Sequence, residues 1–192
     1  MLLSVYCSGS IMKGKSDAKK LCWTDTEKDE VRNGAAPSEV VFLNPDDPIT
    51  DPNNSLGQFG RDMFQVMTAT AIIVDARERR GIGIGVEMAA AATFGTPVIV
   101  VAPRNTLYRS DVLEYRGTTV SNYVHPHVAS LASFLADDFE EAGRFLTQVP
   151  VHKEPPVNTP EWLDRAIEEY RENVLPGDEP MLQAMKLLMS TK

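Results

Sequence analysis

The chain is short of cysteine, histidine, positive charge and unbroken apolar sequence. It has two cysteines, Cys7 and Cys22, in 192 residues. Two are too few for a disulfide framework and point to a reducing cytosol. Its three histidines are His125 and His127, which flank a proline, and the remote His152. With no cysteine or acidic cluster beside them they make a poor metal site, so no metal is expected. No segment reaches the roughly 18 apolar residues of a membrane span. The opening "MLLSVYCSGS" carries no basic leader, so a cytoplasmic protein without a membrane partner is expected. Lys and Arg number 19 against 27 Asp and Glu, a net charge of -8. Such a surface repels phosphate backbones, which argues against nucleic acid as a partner. A local pocket can still oppose the global sign and take a small anion. No GxSxG elbow and no suitably placed Cys–His pair is visible.

What the chain does have is a regular alternation. "LLSVYC" (2–7), "EVVFLNP" (39–45), "TAIIVDA" (70–76) and "TPVIVVAP" (96–103) read as strands. "TTVSNYV" (118–124) reads as a fifth. Helical patterns lie between and after them: 16–34 with Ser16 as N-cap and Gly34 as stop, 58–69, 86–95 and an amphipathic 128–146. Continuous apolar strands alternating with helices predict a doubly wound, flavodoxin- or Rossmann-like α/β domain. Its sheet is parallel and five-stranded, with helices on both faces. The composition changes after Val149: "PVHKEPPVNTP" is proline-rich and two short helical stretches follow. The expected organisation is a catalytic domain over 1–149 and a linker with a helical tail over 150–192. That tail is expected to pack on the domain or on a neighbouring subunit.

In such folds ligands sit beyond the C-terminal ends of the strands. That rule selects the loops 8–16, 44–57 and 75–86. In "GIGIGVEMAAA" (81–91), Gly81, Gly83 and Gly85 let the backbone turn tightly and approach a ligand. Glu87 then falls at a helix start, where the dipole favours its ionised form. A carboxylate there either complements the dipole or attacks an electrophilic carbon. In "YCSGSIMKGKSD" (6–17), Gly9, Ser10 and Gly14 with Lys13 and Lys15 suggest a phosphate cradle, though an ordinary turn with solvated lysines fits too. The Walker spacing is absent. Asp62 lies on a helix in "GRDMF". Asp75 ends a strand, either at the ligand rim or as a cap for the following loop.

Together these pieces resemble the nucleoside 2-deoxyribosyltransferase superfamily, which includes base-exchanging transferases and nucleoside 5′-monophosphate N-glycosidases. The resemblance rests on "YCSGSIMKGKSD", "RDMFQVMTATAIIVDA" and "GIGIGVEMAAAATFGTPVIVV", over roughly residues 3–103. Its first loop looks closer to the monophosphate N-glycosidases. The resemblance implies Glu87 as nucleophile at C1′ of the sugar and Tyr6 as the residue that orients it. It implies Asp62 as the acid that assists the leaving base or positions the sugar. Gly9, Ser10, Ile11, Lys13, Gly14 and Lys15, with Gly83 and Gly85, would border the substrate. It also implies a homodimer or higher homo-oligomer, with Ser110 reaching a neighbouring subunit's phosphate. No cofactor is implied.

This chain departs from the pattern at position 81. It carries glycine where the monophosphate hydrolases tend to carry a phosphate-contacting serine. Arg79 and Arg80 just before it are candidates to replace that contact. Hydrolysis of a nucleoside or nucleotide, base exchange, and a non-catalytic nucleotide-binding module remain the competing readings. A lysine-decarboxylase-like phosphoribohydrolase would need a PGGxGT signature, which is absent.

Overall fold

In a computed structural model of the chain, residues 1–11, 20–45, 53, 55–78 and 81–150 are described, with positions 172 and 176 beyond. The chain divides into two units, Met1–Pro155 and Pro156–Lys192; the architecture below is that of the first. Lys13, Gly14, Lys15, Ser16, Arg80, most of loop 46–57 and nearly all of the tail after 150 lie outside the described residues.

The elements run β1 (Leu2–Ser8), α1 (Asp25–Ala35), β2 (Glu39–Leu43), α2 (Ser55–Thr68), β3 (Ala71–Asp75), α3 (Ile82–Phe94) and β4 (Val98–Val101). A hairpin of β5 (Arg109–Tyr115) and β6 (Thr118–Val124) follows, then α4 (Pro126–Leu131), β7 (Phe134–Ala136) and α5 (Phe139–Leu146). Five strands form one sheet in the order β2-β1-β3-β4-β7. Every neighbouring pair in it is parallel. This is the doubly wound α/β fold. The chain winds outward from β1 to β2, then crosses back over to β3. That reversal opens a crevice at the carboxyl ends of β1 and β3.

Burial explains the central strands. Every residue of β3 and β4 is buried, as unbroken Ala, Ile and Val runs require when helices cover both faces. On one face Val31 and Ala35 of α1 and Phe139, Ala142 and Leu146 of α5 pack on Leu3, Val5, Ile73 and Ile99. On the other, Val66 of α2, Met88 and Ala91 of α3 and Val128 of α4 pack on Tyr6, Ile72, Val74 and Val100. Among the described residues no helix is long and apolar enough to cross a membrane.

Several sequence expectations need correction. The fifth strand of the sheet is β7, not 118–124. The latter is β6, paired antiparallel with β5 in a separate two-stranded sheet. Arg116 and Gly117 turn that hairpin with positive φ of 51° and 79°, as tight hairpin turns require. The continuous helix 128–146 is instead α4, β7 and α5. Asp138 starts α5 afresh as its N-cap, accepting from the Glu141 amide. In the first helical segment, residues 20–24 are not helical. Thr24 is the N-cap, in a reciprocal capping box with Glu27.

Gly34 does not stop α1 but lies inside it, for a packing reason. A Cβ on Gly34 would sit 1.9 Å from the Glu140 carbonyl oxygen, and one on Gly143 would sit 2.3 Å from that of Val31. Facing glycines let α1 and α5 touch backbone to backbone.

Candidate active site

Tyr6 and Ser8 are two apart on β1, so their side chains leave the same face of the sheet. Both are fully buried. Glu87 of α3 meets them there. The Tyr6 hydroxyl donates to Glu87 Oε1 at 3.1 Å, and the Ser8 hydroxyl donates to Oε2 at 2.5 Å. Each carboxylate oxygen therefore has its own hydroxyl donor.

The electrostatics are opposed. Burial pushes the Glu87 carboxyl above its ordinary range, the Ser8 and Tyr6 hydroxyls pull it back, and the charge of Asp62 raises it again. The net direction is upward. Tyr6 is pushed far above the ordinary phenol range by burial first, then by the charges of Glu87 and Asp62. It therefore keeps its proton and remains a donor. Asp62 on α2 is thus close enough to act on both members of the pair.

The start of α3 departs from expectation. The helix begins at Ile82, so Gly83 and Gly85 are helical and Glu87 lies in the second turn. The dipole is weaker there than in the first turn, which leaves the two hydroxyls as the close donors to Glu87. The glycines instead leave the helix start bare. A Cβ on Gly81 or Gly85 would meet nothing within 4 Å, and one on Gly83 would meet only Glu87 Oε1, at 3.8 Å. No side chain therefore covers these glycines at the start of α3, and a helix start favours an anion.

A cleft of about 310 Å³ is lined by Gly9, Ser10, Ile11, Lys20, Gly81, Gly83 and Ile84. A second cleft of about 380 Å³ shares Gly81 and Ile84 and adds Gly85, Met88, Tyr108, His125 and His127. His125 is held below its ordinary pKa by burial and by His127. Among the described residues no group of three or more His, Cys, Asp or Glu is placed to hold a metal ion.

Trp23 packs against the loop that follows β1. Its indole Nε1 donates to the Ser8 carbonyl at 3.1 Å. A Cβ on Gly9 would lie 2.9 Å from Trp23 Cδ1, so only glycine lets the indole come this near.

The fold thus gathers Tyr6, Gly9, Ser10, Ile11, Gly83 and Glu87, with Asp62 in electrostatic range. Two further expected residues, Asp75 and Ser110, line neither described cleft. Asp75 is fully buried at the end of β3. Arg77 grips it through Nε to Oδ1 at 3.0 Å and Nη2 to Oδ2 at 3.1 Å. This is the capping role the sequence also allowed. Ser110 sits on β5 and donates to the Val112 carbonyl at 2.7 Å; it lines neither cleft. The sequence reading missed Ser8, Lys20 and Trp23. Strand alternation held a signal for Ser8, since a residue two beyond Tyr6 shares its face.

No family model and no curated protein matches the chain. Among solved structures it is similar to the 2-desoxiribosyltransferase from Leishmania mexicana, with 19% identity and a TM-score of 0.47. The similarity spans 76% of this chain and 97% of that one.

Proposed function

We propose that this chain is an enzyme of the nucleoside 2-deoxyribosyltransferase superfamily that cleaves the N-glycosidic bond of a nucleoside or nucleoside 5′-monophosphate. One observation carries the reading: a half-buried carboxylate with a hydroxyl on each oxygen, beside a glycine-lined cleft at the switch point of the sheet. A purely structural glutamate needs neither the cleft nor the bare helix start.

Glu87 attacks C1′ of the sugar as a carboxylate. The bond to the base breaks, its electron pair leaves with the base, and a glycosyl ester forms on Glu87. Tyr6 orients the nucleophile. Asp62 assists the leaving base with a proton or positions the sugar. Water then attacks C1′, restoring the carboxylate and releasing the sugar. No cofactor enters any step.

The 5′-phosphate is assigned to the start of α3 and the loop after β1. Gly9, Ser10, Ile11, Gly83 and Gly85 border it, and Lys13, Gly14, Lys15 and Arg80 supply further contacts. Lys20, which lines the cleft, adds a cation that offsets the missing serine at position 81. A second copy of the chain completes the site, with Ser110 reaching across to its phosphate. Base exchange is the second reading. Gly81 offers no hydroxyl to a phosphate, and an acceptor base would then replace water at the same ester.

Product analysis tests this. The protein is incubated with nucleosides and their 5′-monophosphates, with and without a second free base. Free base released from monophosphates without an acceptor is the expected result. A new nucleoside formed only with the acceptor would make the protein a transferase. No turnover, with ligand-dependent thermal stabilisation, would leave a binding module.

A further inference from the structure

The two oxygens of Glu87 are not equivalent. Oε1 borders Gly83, a residue of the cleft lining, and accepts from Tyr6. Oε2 accepts from Ser8, which is fully buried and lines neither of the two clefts described above. Ser8 is itself immobilised. Its backbone pairs with Val74 of β3, and its carbonyl accepts from Trp23. A hydroxyl on a fixed backbone, aimed at one carboxylate oxygen, sets the rotation of that carboxylate.

We propose that Ser8 is a positioning residue that anchors Glu87 Oε2, so that Oε1 alone is presented to the cleft as the attacking atom. This rests on the nucleophilic reading of Glu87 given above. Ser8 exchanges no proton and forms no bond in the reaction; its hydrogen bond persists to the carbonyl oxygen of the ester. The clamp also selects a charge state. A proton on Oε2 would force the Ser8 hydroxyl to turn from donor to acceptor. Losing Ser8 therefore favours the protonated acid.

The test compares wild type with Ser8→Ala and Ser8→Cys, which change little volume at a buried site. Two readouts are taken. One is base release against pH. The other is the titration of Glu87 itself, followed by NMR of carboxyl-labelled glutamate and assigned with Glu87→Gln. In Ser8→Ala, kcat falls roughly 10- to 100-fold, the scale of one hydrogen bond to a charged group. KM is expected to hold, because Ser8 lines neither described cleft. The acid limb of kcat/KM and the Glu87 titration both move to higher pH, and Ser8→Cys falls between. An unmoved Glu87 titration in Ser8→Ala, with the fold intact by circular dichroism, would overturn the proposal. Should wild type itself release no base, the enzyme reading fails, and the titration still decides the clamp.

Discussion

Replacing Glu87 by alanine is expected to lower base release by about 10,000-fold or more, the scale of losing a covalent nucleophile. The fold should survive. Glu87 is only half-buried, and α3 is held by Met88 and Ala91 packing beneath it and by its Gly95 cap. The same residue sets the pH dependence of the wild type. Attack requires the ionised carboxylate, and burial and Asp62 together hold the Glu87 pKa above the ordinary range. Activity should therefore fall on acidification at a higher pH than a free glutamate would give. The opposite sign holds for stability. A carboxyl with a raised pKa in the fold contributes stability below its unfolded pKa and loses it as pH rises through the folded one. Kinetics and thermal unfolding across pH check both signs. A variant retaining a tenth of wild-type activity would remove Glu87 from the chemistry.

The second large effect lies beneath the site. Arg77→Met is expected to destabilise the domain by about 3–5 kcal/mol, the usual result of removing one partner from a buried ion pair. Asp75 is fully buried, and the Arg77 guanidinium binds both its oxygens. The same guanidinium donates to Glu27 Oε1 at 2.8 Å and lies 4.8 Å from the centre of the Phe139 ring. Burial works against the charge of Glu27, but its hydrogen bonds with Thr24 and Arg77 hold its carboxyl below the ordinary range. One side chain thus ties the end of β3 to the starts of α1 and α5. Urea unfolding measures the loss. The double variant Asp75→Asn, Arg77→Met should recover part of it, because the buried charge that lost its guanidinium is gone. A single variant within 1 kcal/mol of wild type, measured as above, would mean that Asp75 does not depend on the fork.

These networks also explain what could be read from the chain alone. β1, β3 and β4 are legible because burial on both faces demands unbroken apolar runs, and only strands of that length alternate so regularly with helices. Tyr6 and Glu87 are legible because strand ends and glycine-rich helix starts mark the ligand edge of such a sheet. β7 is not. Residues 128–146 place apolar side chains every three or four positions, as a helix does. Only the neighbouring β4 makes Phe134–Ala136 a strand, with the Ser133 hydroxyl accepting from the Val98 amide. β5 is hidden for the opposite reason. "RSDVLEY" has no buried face, so it carries no alternation to detect. The early start of α3 is hidden by its glycines, which read as loop until packing of Met88 and Ala91 holds them helical. Asp75 shows that an acid at a strand end faces a ligand or a partner according to a residue two positions on. No periodicity signals that choice.

The central claim is that Glu87 becomes covalently bonded to the sugar. The most direct measurement is intact mass and peptide mapping after incubation with nucleoside 5′-monophosphates fluorinated at C2′. That fluorine destabilises the oxocarbenium-like transition states and slows both formation and hydrolysis of the ester. The account predicts a mass increase equal to the fluorinated sugar phosphate, located on Glu87 and absent from Glu87→Ala. Base release without any adduct, or an adduct on another residue, would contradict it.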